Sequence, residues 1–181
     1  SLTFWKRPSS ASSASSGRNA ATLASLQDIA NGLLPSDKSV VFVDNHDNQR
    51  GDNLYYASVV GAVPVYELAT IFMLAHPQGA PSVMSSYGFD RGSGAGRDAG
   101  PPSAPAGVTQ STFDVAGNSR CTATLGSAQV GSWICEHRRD AIANMVAFRN
   151  ATAGAPLVGF RTIDGDSNRI AFARDGKGFV A

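Results

Sequence analysis

Residues 39–51 read SVVFVDNHDNQRG, and the stretch divides sharply at Asp44. Before it, Val40, Val41, Phe42 and Val43 form an unbroken β-branched and aromatic run. Such a run predicts a strand covered on both faces, as in parallel sheets. From Asp44 to Arg50 every side chain is polar: carboxylates at Asp44 and Asp47, carboxamides at Asn45, Asn48 and Gln49, an imidazole at His46 and a guanidinium at Arg50. An apolar strand that empties into a cluster of this kind matches the way an α/β barrel presents its chemistry, because strand C-termini and the loops after them form the active face. A plainer reading stands beside it: the same string makes a solvated loop whose Asn caps a turn.

The whole chain sets the bounds. Its 181 residues suffice for one ordinary domain, whereas a complete (β/α)₈ barrel takes roughly 250. A barrel reading therefore expects a fragment, which agrees with a start at Ser1 and an end at Ala181 inside a strand-like run. A net charge of +1 with 16% charged residues offers no basic patch, so nucleic acid is not implied as a partner. No apolar run reaches the roughly 18 residues of a membrane span, so no membrane partner is implied either. No cationic segment followed by an apolar one marks a signal peptide, although in a fragment this says nothing about secretion.

Along the chain, residues 1–22 contain the tract PSSASSASSGRNAAT, which is low in complexity and is expected to be disordered. Leu23, Leu26, Ile29 and Leu33 then recur at helical spacing, with Gly32 and Pro35 as stop signals. Val65–Leu74 predicts the next helix, with Pro64 in its first turn and His76 as a C-terminal cap. Ser82–Ser86 is expected to be a strand. Residues 90–118, rich in Gly, Pro, Ala and Ser, read as a long surface loop. Ile134, Ile142, Met145, Val146 and Phe148 then trace one face of an amphipathic helix, with Glu136 and His137 at its start. Those two could serve as acid and base; the structural reading, a carboxylate favouring the helix dipole, is preferred. Finally, the alternation over 168–174, Asp175-Gly176 and Phe179-Val180 predicts a β-hairpin.

Three strings carry a resemblance. FVDNHDNQRG (residues 42–51) resembles the fourth conserved region of the α-amylase family of glycoside hydrolases (family 13), in the form carried by animal amylases and their bacterial relatives. MLAHPQGAPSVMSSY (73–87) is similar to the segment that leads into the last barrel strand, and WICEHRRDAIANMVAFRN (133–150) to the one that opens the last barrel helix. The resemblance implies an α/β fold: residues 23–155 as the C-terminal portion of a catalytic (β/α)₈ TIM barrel, strands 7 and 8 with their helices, and 156–181 as the start of a truncated all-β sandwich domain. It implies a secreted, extracellular parent, monomeric, that cuts internal α-1,4 bonds of starch or glycogen-type α-glucans.

Retaining glycosidases need a carboxylate nucleophile and a carboxylic acid about 5 to 5.5 Å apart. In the family these lie at strands 4 and 5, and neither region has a counterpart here, so the fragment alone is expected to be inactive. By resemblance Asp47 is the third, catalytic carboxylate, which stabilises the oxocarbenium-like transition state; His46 donates a hydrogen bond to the same sugar. Asn45 corresponds to a chloride ligand of chloride-dependent relatives, but Ser82 stands where animal amylases place an Arg that holds the anion. Asp52 replaces a second His of the family pattern. Calcium is implied for the full-length parent, at a site outside this chain; no metal site is expected within it. Cys121 and Cys135, flanking a short loop before a helix in a secreted chain, are expected to form a disulfide.

Two other classes remain open at this stage. A non-catalytic carbohydrate-binding relative would keep the barrel and lose the upstream nucleophile. A metal-dependent hydrolase would use His46 and Asp47 as ligands, yet such sites need a larger His, Cys and carboxylate set than His46, His76 and His137 provide.

Overall fold

A computed structural model describes residues 2–3, 22–51, 54–56, 59–60, 63–90, 95–121 and 129–181. The expected disorder over residues 1–22 and the substitution at Asp52 lie outside the described residues, apart from Leu2, Thr3 and Thr22.

The apolar run after Ser39 forms a short strand, β2 (Val40–Phe42), at the centre of a three-stranded parallel sheet. β1 (Leu2–Thr3) lies on one side, with Leu2 opposite Val41. β5 (Ala80–Pro81) lies on the other, with Val40 opposite Ala80. The third strand thus falls just before the expected Ser82–Ser86. The ladder ends where the Ser82 amide donates to the Val41 carbonyl at 2.8 Å, because β2 itself gives way to the polar turn. Beyond that point the Ser86 amide is drawn instead to Glu136, at 2.8 Å. A separate antiparallel pair, β3 (Val59–Val60) with β4 (Val63–Pro64), precedes α1.

Helix α1 (Val65–Ala75) forms where expected, with Pro64 at its N-cap and His76 at its C-cap. It carries Tyr66, Thr70, Phe72, Met73, Leu74 and Ala75 into the interior. The Leu23–Leu33 periodicity does not make an α-helix: Leu23–Asp28 is a 3₁₀ segment followed by turns. Its i→i+3 bonds include Ile29 N–H to the Leu26 carbonyl at 3.2 Å, and Leu26 still reaches the core. So short an element draws little stability from its own hydrogen bonds and holds through that buried leucine.

The last helix, α2 (Asp140–Ala151), starts later than its sequence pattern suggests. Residues Glu136–Arg138 form a 3₁₀ turn, and Asp140, not Glu136, is the acid in the first turn of α2. Ile134 therefore sits outside the helix, in a small core with Tyr56 and Phe89. Ile142 is fully buried in the main core, with Met145 and Phe148 packed against it, whereas Val146 is 40% exposed.

The chain closes with an antiparallel meander: β6 (Leu157–Ile163), β7 (Asp166–Arg174) and β8 (Gly178–Val180). The β7–β8 hairpin and its Asp175-Gly176 turn follow the sequence reading, with Gly176 at φ 65°. β6 is an additional strand. Phe172 of β7 packs edge-on to Phe72 of α1 at 5.7 Å between centroids and stacks on Phe160 at 5.8 Å. The meander thus shares the main core with α1 and α2. Two guanidinium groups bind this junction. Arg149 donates to the carbonyls of Leu74, in the last turn of α1, and of His76, Pro77 and Gly79 beyond it. Arg174, 3% exposed, donates to those of Ala75, Thr152 and Ala155. The carbonyls left unpaired at helix ends thereby receive charged donors.

After a 3₁₀ segment at Ala95–Asp98, residues 99–121 run as turns and isolated bridges. Two alike turns follow one another: Ser103 bridges Thr109, and Phe113 bridges Ser119.

Candidate functional site

The polar string sits immediately after β2, and its backbone is fixed by its own carboxamides. The Asn45 side-chain oxygen accepts the amides of Asp47 at 3.1 Å and Asn48 at 3.0 Å. In return the Asn48 oxygen accepts the Asn45 amide at 2.8 Å. This reciprocal capping resembles a helix capping box built from two Asn residues. The plainer reading, of an Asn capping a turn, therefore describes Asn45, and the consequence is positional: the two residues between the caps point outward. The His46 and Asp47 side chains are 78% and 80% exposed, and His46 Nε2 lies 3.2 Å from Asp47 Oδ1. An imidazole and a carboxylate are thus presented together at the C-terminal end of a parallel strand.

Beneath this exposed pair lies a buried polar layer. Asp44 is 3% exposed, Gln49 and Glu136 are fully buried. Burial, reinforced by the neighbouring Glu136 carboxylate, pushes the Asp44 carboxyl up to about 8, against a hydrogen bond from Tyr66 that favours the anion. Removing a carboxylate from water penalises its charged form, and a like charge nearby adds to the penalty. The same burial raises the Tyr66 phenol well above its usual range. Asp44 Oδ2 and both amide atoms of Gln49 have no hydrogen-bond partner among the described residues.

Glu136 is locked rather than reactive. It accepts the Ser86 amide at 2.8 Å and also the Ser86 hydroxyl. Burial still raises its carboxyl above the usual value, against those bonds. His137 contacts the Ser85 hydroxyl through Nδ1. Glu136 and His137 therefore tie residues 85–86 to the turn before α2. This agrees with a structural role, but the mechanism is a buried cross-link and not a helix dipole.

Arg50 ties the turn to the segment beyond residue 86. Its guanidinium donates to the carbonyls of Arg97 and Ala99 and lies 4.5 Å from the Phe89 ring centroid. The sequence names Arg50 only as one polar residue among several; nothing local marks its partners, which lie some 47 and 49 positions away. Ser82 presents a neutral hydroxyl. Cys121 and Cys135 are bonded to each other, and the cross-link lies beside the bridge between Cys121 and Trp133. Among the described residues, no three His, Cys, Asp or Glu side chains converge to hold a metal ion. Nor, among the described residues, is any helix long and apolar enough to cross a membrane.

No protein-family model matches the chain. Curated relatives do. Pancreatic α-amylase of Struthio camelus is 43% identical over 82% of this chain, and pancreatic α-amylase 2a5 of Mus musculus is 41% identical over the same share. The chain is an α-amylase segment. It spans less than a third of those relatives, 29% and 28% of their lengths. Among solved structures, a substituted α-amylase I of Eisenia fetida in complex with maltohexaose superposes at a TM-score of 0.58, with 32% identity. That match covers 81% of this chain and 28% of the other. The fold of this α-amylase segment is accordingly a small mixed α/β piece of the fold seen in those enzymes.

Proposed function

We propose that residues 23–155 are the C-terminal portion of the catalytic (β/α)₈ barrel of a secreted α-amylase, and that 156–181 open its β-sandwich domain. In this reading β2 is the seventh barrel strand and β5 stands at the eighth. The full-length enzyme hydrolyses internal α-1,4 bonds of starch or glycogen with retention, using a nucleophile and an acid supplied from upstream. The observation that carries the proposal is the exposed His46–Asp47 pair, held at a strand C-terminus by the Asn45–Asn48 caps. A rigid strand end is where barrel enzymes present their chemistry.

Asp47 then faces the sugar ring that becomes oxocarbenium-like as the bond breaks. A fixed negative charge there acts on the transition state more than on the substrate. His46, its neighbour, donates a hydrogen bond to a hydroxyl of the same ring and so fixes the register of the glucan. Asp44 carries no such role: it is buried.

Calcium belongs, in this reading, to the upstream part of the enzyme. Chloride does not fit the residues present. Ser82 supplies neither the charge nor the fork of donors of a guanidinium, which leaves the Asn45 amide group to hold the anion without its main attraction. Activity of the full-length enzyme should stay flat in a chloride titration, whereas saturable activation would refute this.

The test is the complete protein. Its upstream sequence should carry the Asp nucleophile and the Glu acid after strands 4 and 5, and it should release reducing ends from soluble starch. A complete chain that binds α-glucan but lacks the nucleophile would replace this reading with the non-catalytic carbohydrate-binding one.

A further inference from the structure

The tripeptide Asn150-Ala151-Thr152 is the one place in the 181 residues where Asn is followed two positions later by Ser or Thr. With Ala between them, it is an acceptor sequence for N-linked glycosylation. Three structural observations bear on it. First, Asn150 is exposed in the last turn of α2, and no hydrogen bond among the described residues holds its carboxamide. Second, the inward face of α2 is made by Ile142, Met145, Phe148 and Arg149, so Asn150 continues the outward row of Ala143, Val146 and Ala147. Residues three or four apart are neighbours on a helix, and Val146, one turn back, is 40% exposed. A glycan at Asn150 has an apolar strip to lie over. Third, the Cys121–Cys135 bond requires an oxidising compartment, and the lumen in which disulfides form is where N-glycans are attached in eukaryotic cells.

From these we infer that Asn150 is a glycosylated residue, modified before α2 folds. In the transfer, Asn150 Nδ2 forms a bond to C1 of a lipid-pyrophosphate-linked oligosaccharide. The bond from C1 to the pyrophosphate oxygen breaks, Nδ2 gives up one proton, and the lipid pyrophosphate leaves. Thr152 acts twice. Its hydroxyl completes the acceptor sequence in the unfolded chain; after folding it is buried and donates to the Phe148 carbonyl at 2.9 Å. Folding therefore closes the acceptor sequence while leaving the modified carboxamide in solvent. The inference stands on α2 and the disulfide and is independent of the role of Asp47.

The full chain, expressed behind a secretory leader in mammalian cells, provides the test. Secreted and cell-retained protein are both treated with peptide N-glycosidase, so a folding defect leaves the readout intact. The expected result is one glycan per chain, mapped to Asn150 by peptide mass spectrometry, lost in Asn150→Gln and in Thr152→Val and retained in Thr152→Ser. Wild-type chain at the bare polypeptide mass in both fractions, or a glycan that survives Asn150→Gln, would overturn the inference.

Discussion

At the scale of single residues, Asp47 and Asp44 are three positions apart and opposite in environment. Asp47 is 80% exposed beside His46, so replacing it with Asn removes a charge without disturbing a core. If it acts on the transition state, Asp47→Asn in the full-length enzyme should lower kcat by at least about 10²-fold, roughly 2.7 kcal/mol, as for one preorganised electrostatic group. The melting temperature should barely move. A lower melting temperature with kcat intact would make Asp47 a mere loop residue. Asp44 is the reverse case. Its folded-state value, raised to about 8, means that the folded chain holds the proton more tightly than the unfolded one. Stability from this group is then full below the unfolded value of 3.8 and is lost as pH rises through about 8. The groups facing it are Glu136, itself raised by burial, and Tyr66. Asp44→Asn should flatten the fall in urea midpoint between about pH 4 and pH 8 and leave the variant more stable than wild type at the upper end. An unchanged slope would show that Asp44 titrates normally.

At the scale of elements, what was legible depended on whether the signal was local. The Val40–Val43 run names its strand because apolar residues without a polar break have few other uses. Val65–Leu74 reads as a helix because Pro64 marks its first turn, and the helix observed runs one residue further, to Ala75. Glu136 reads as the start of a helix but lies in the turn before it, because its partner, the Ser86 amide, is 50 residues away and a buried carboxylate looks from sequence like any carboxylate near a helix start. The strand expected at 82–86 shifted for the same reason: its pairing ends where β2 does. The disulfide follows a local signal, two cysteines 14 positions apart. Closing a loop of about 15 residues constrains the unfolded chain by roughly 3 kcal/mol in the chain-entropy model. Cys121→Ser with Cys135→Ser should lower stability by up to that amount in urea titration. Two free thiols in the oxidised, unfolded wild-type chain would show that the bond does not form.

At the scale of the whole molecule, the shared core sets what this segment can do alone. α1, α2 and the terminal meander meet through Phe72, Phe172 and Ile142, and Arg149 and Arg174 seal their junction with backbone carbonyls. That half of the piece has a closed interior. The other half does not: β1 and β5 are the outer strands of a three-stranded parallel sheet, and parallel sheets are ordinarily covered on both faces. Gln49 and Asp44 Oδ2 lie under the candidate site without partners among the described residues. Buried polar groups in a stable protein are paired, so these atoms fit a sheet that continues into further barrel strands. The same incompleteness governs activity. A retaining mechanism needs both a nucleophile and an acid about 5 to 5.5 Å apart, and among the described residues the one carboxylate paired with His46 is Asp47. The purified 181-residue chain should therefore release no reducing ends from starch above a heat-inactivated control. It should also expose apolar surface to a hydrophobic dye, because among the described residues no further strand pairs with the outer edges of β1 and β5. Measurable starch hydrolysis by this chain would show that the missing acid and nucleophile are present among its own residues.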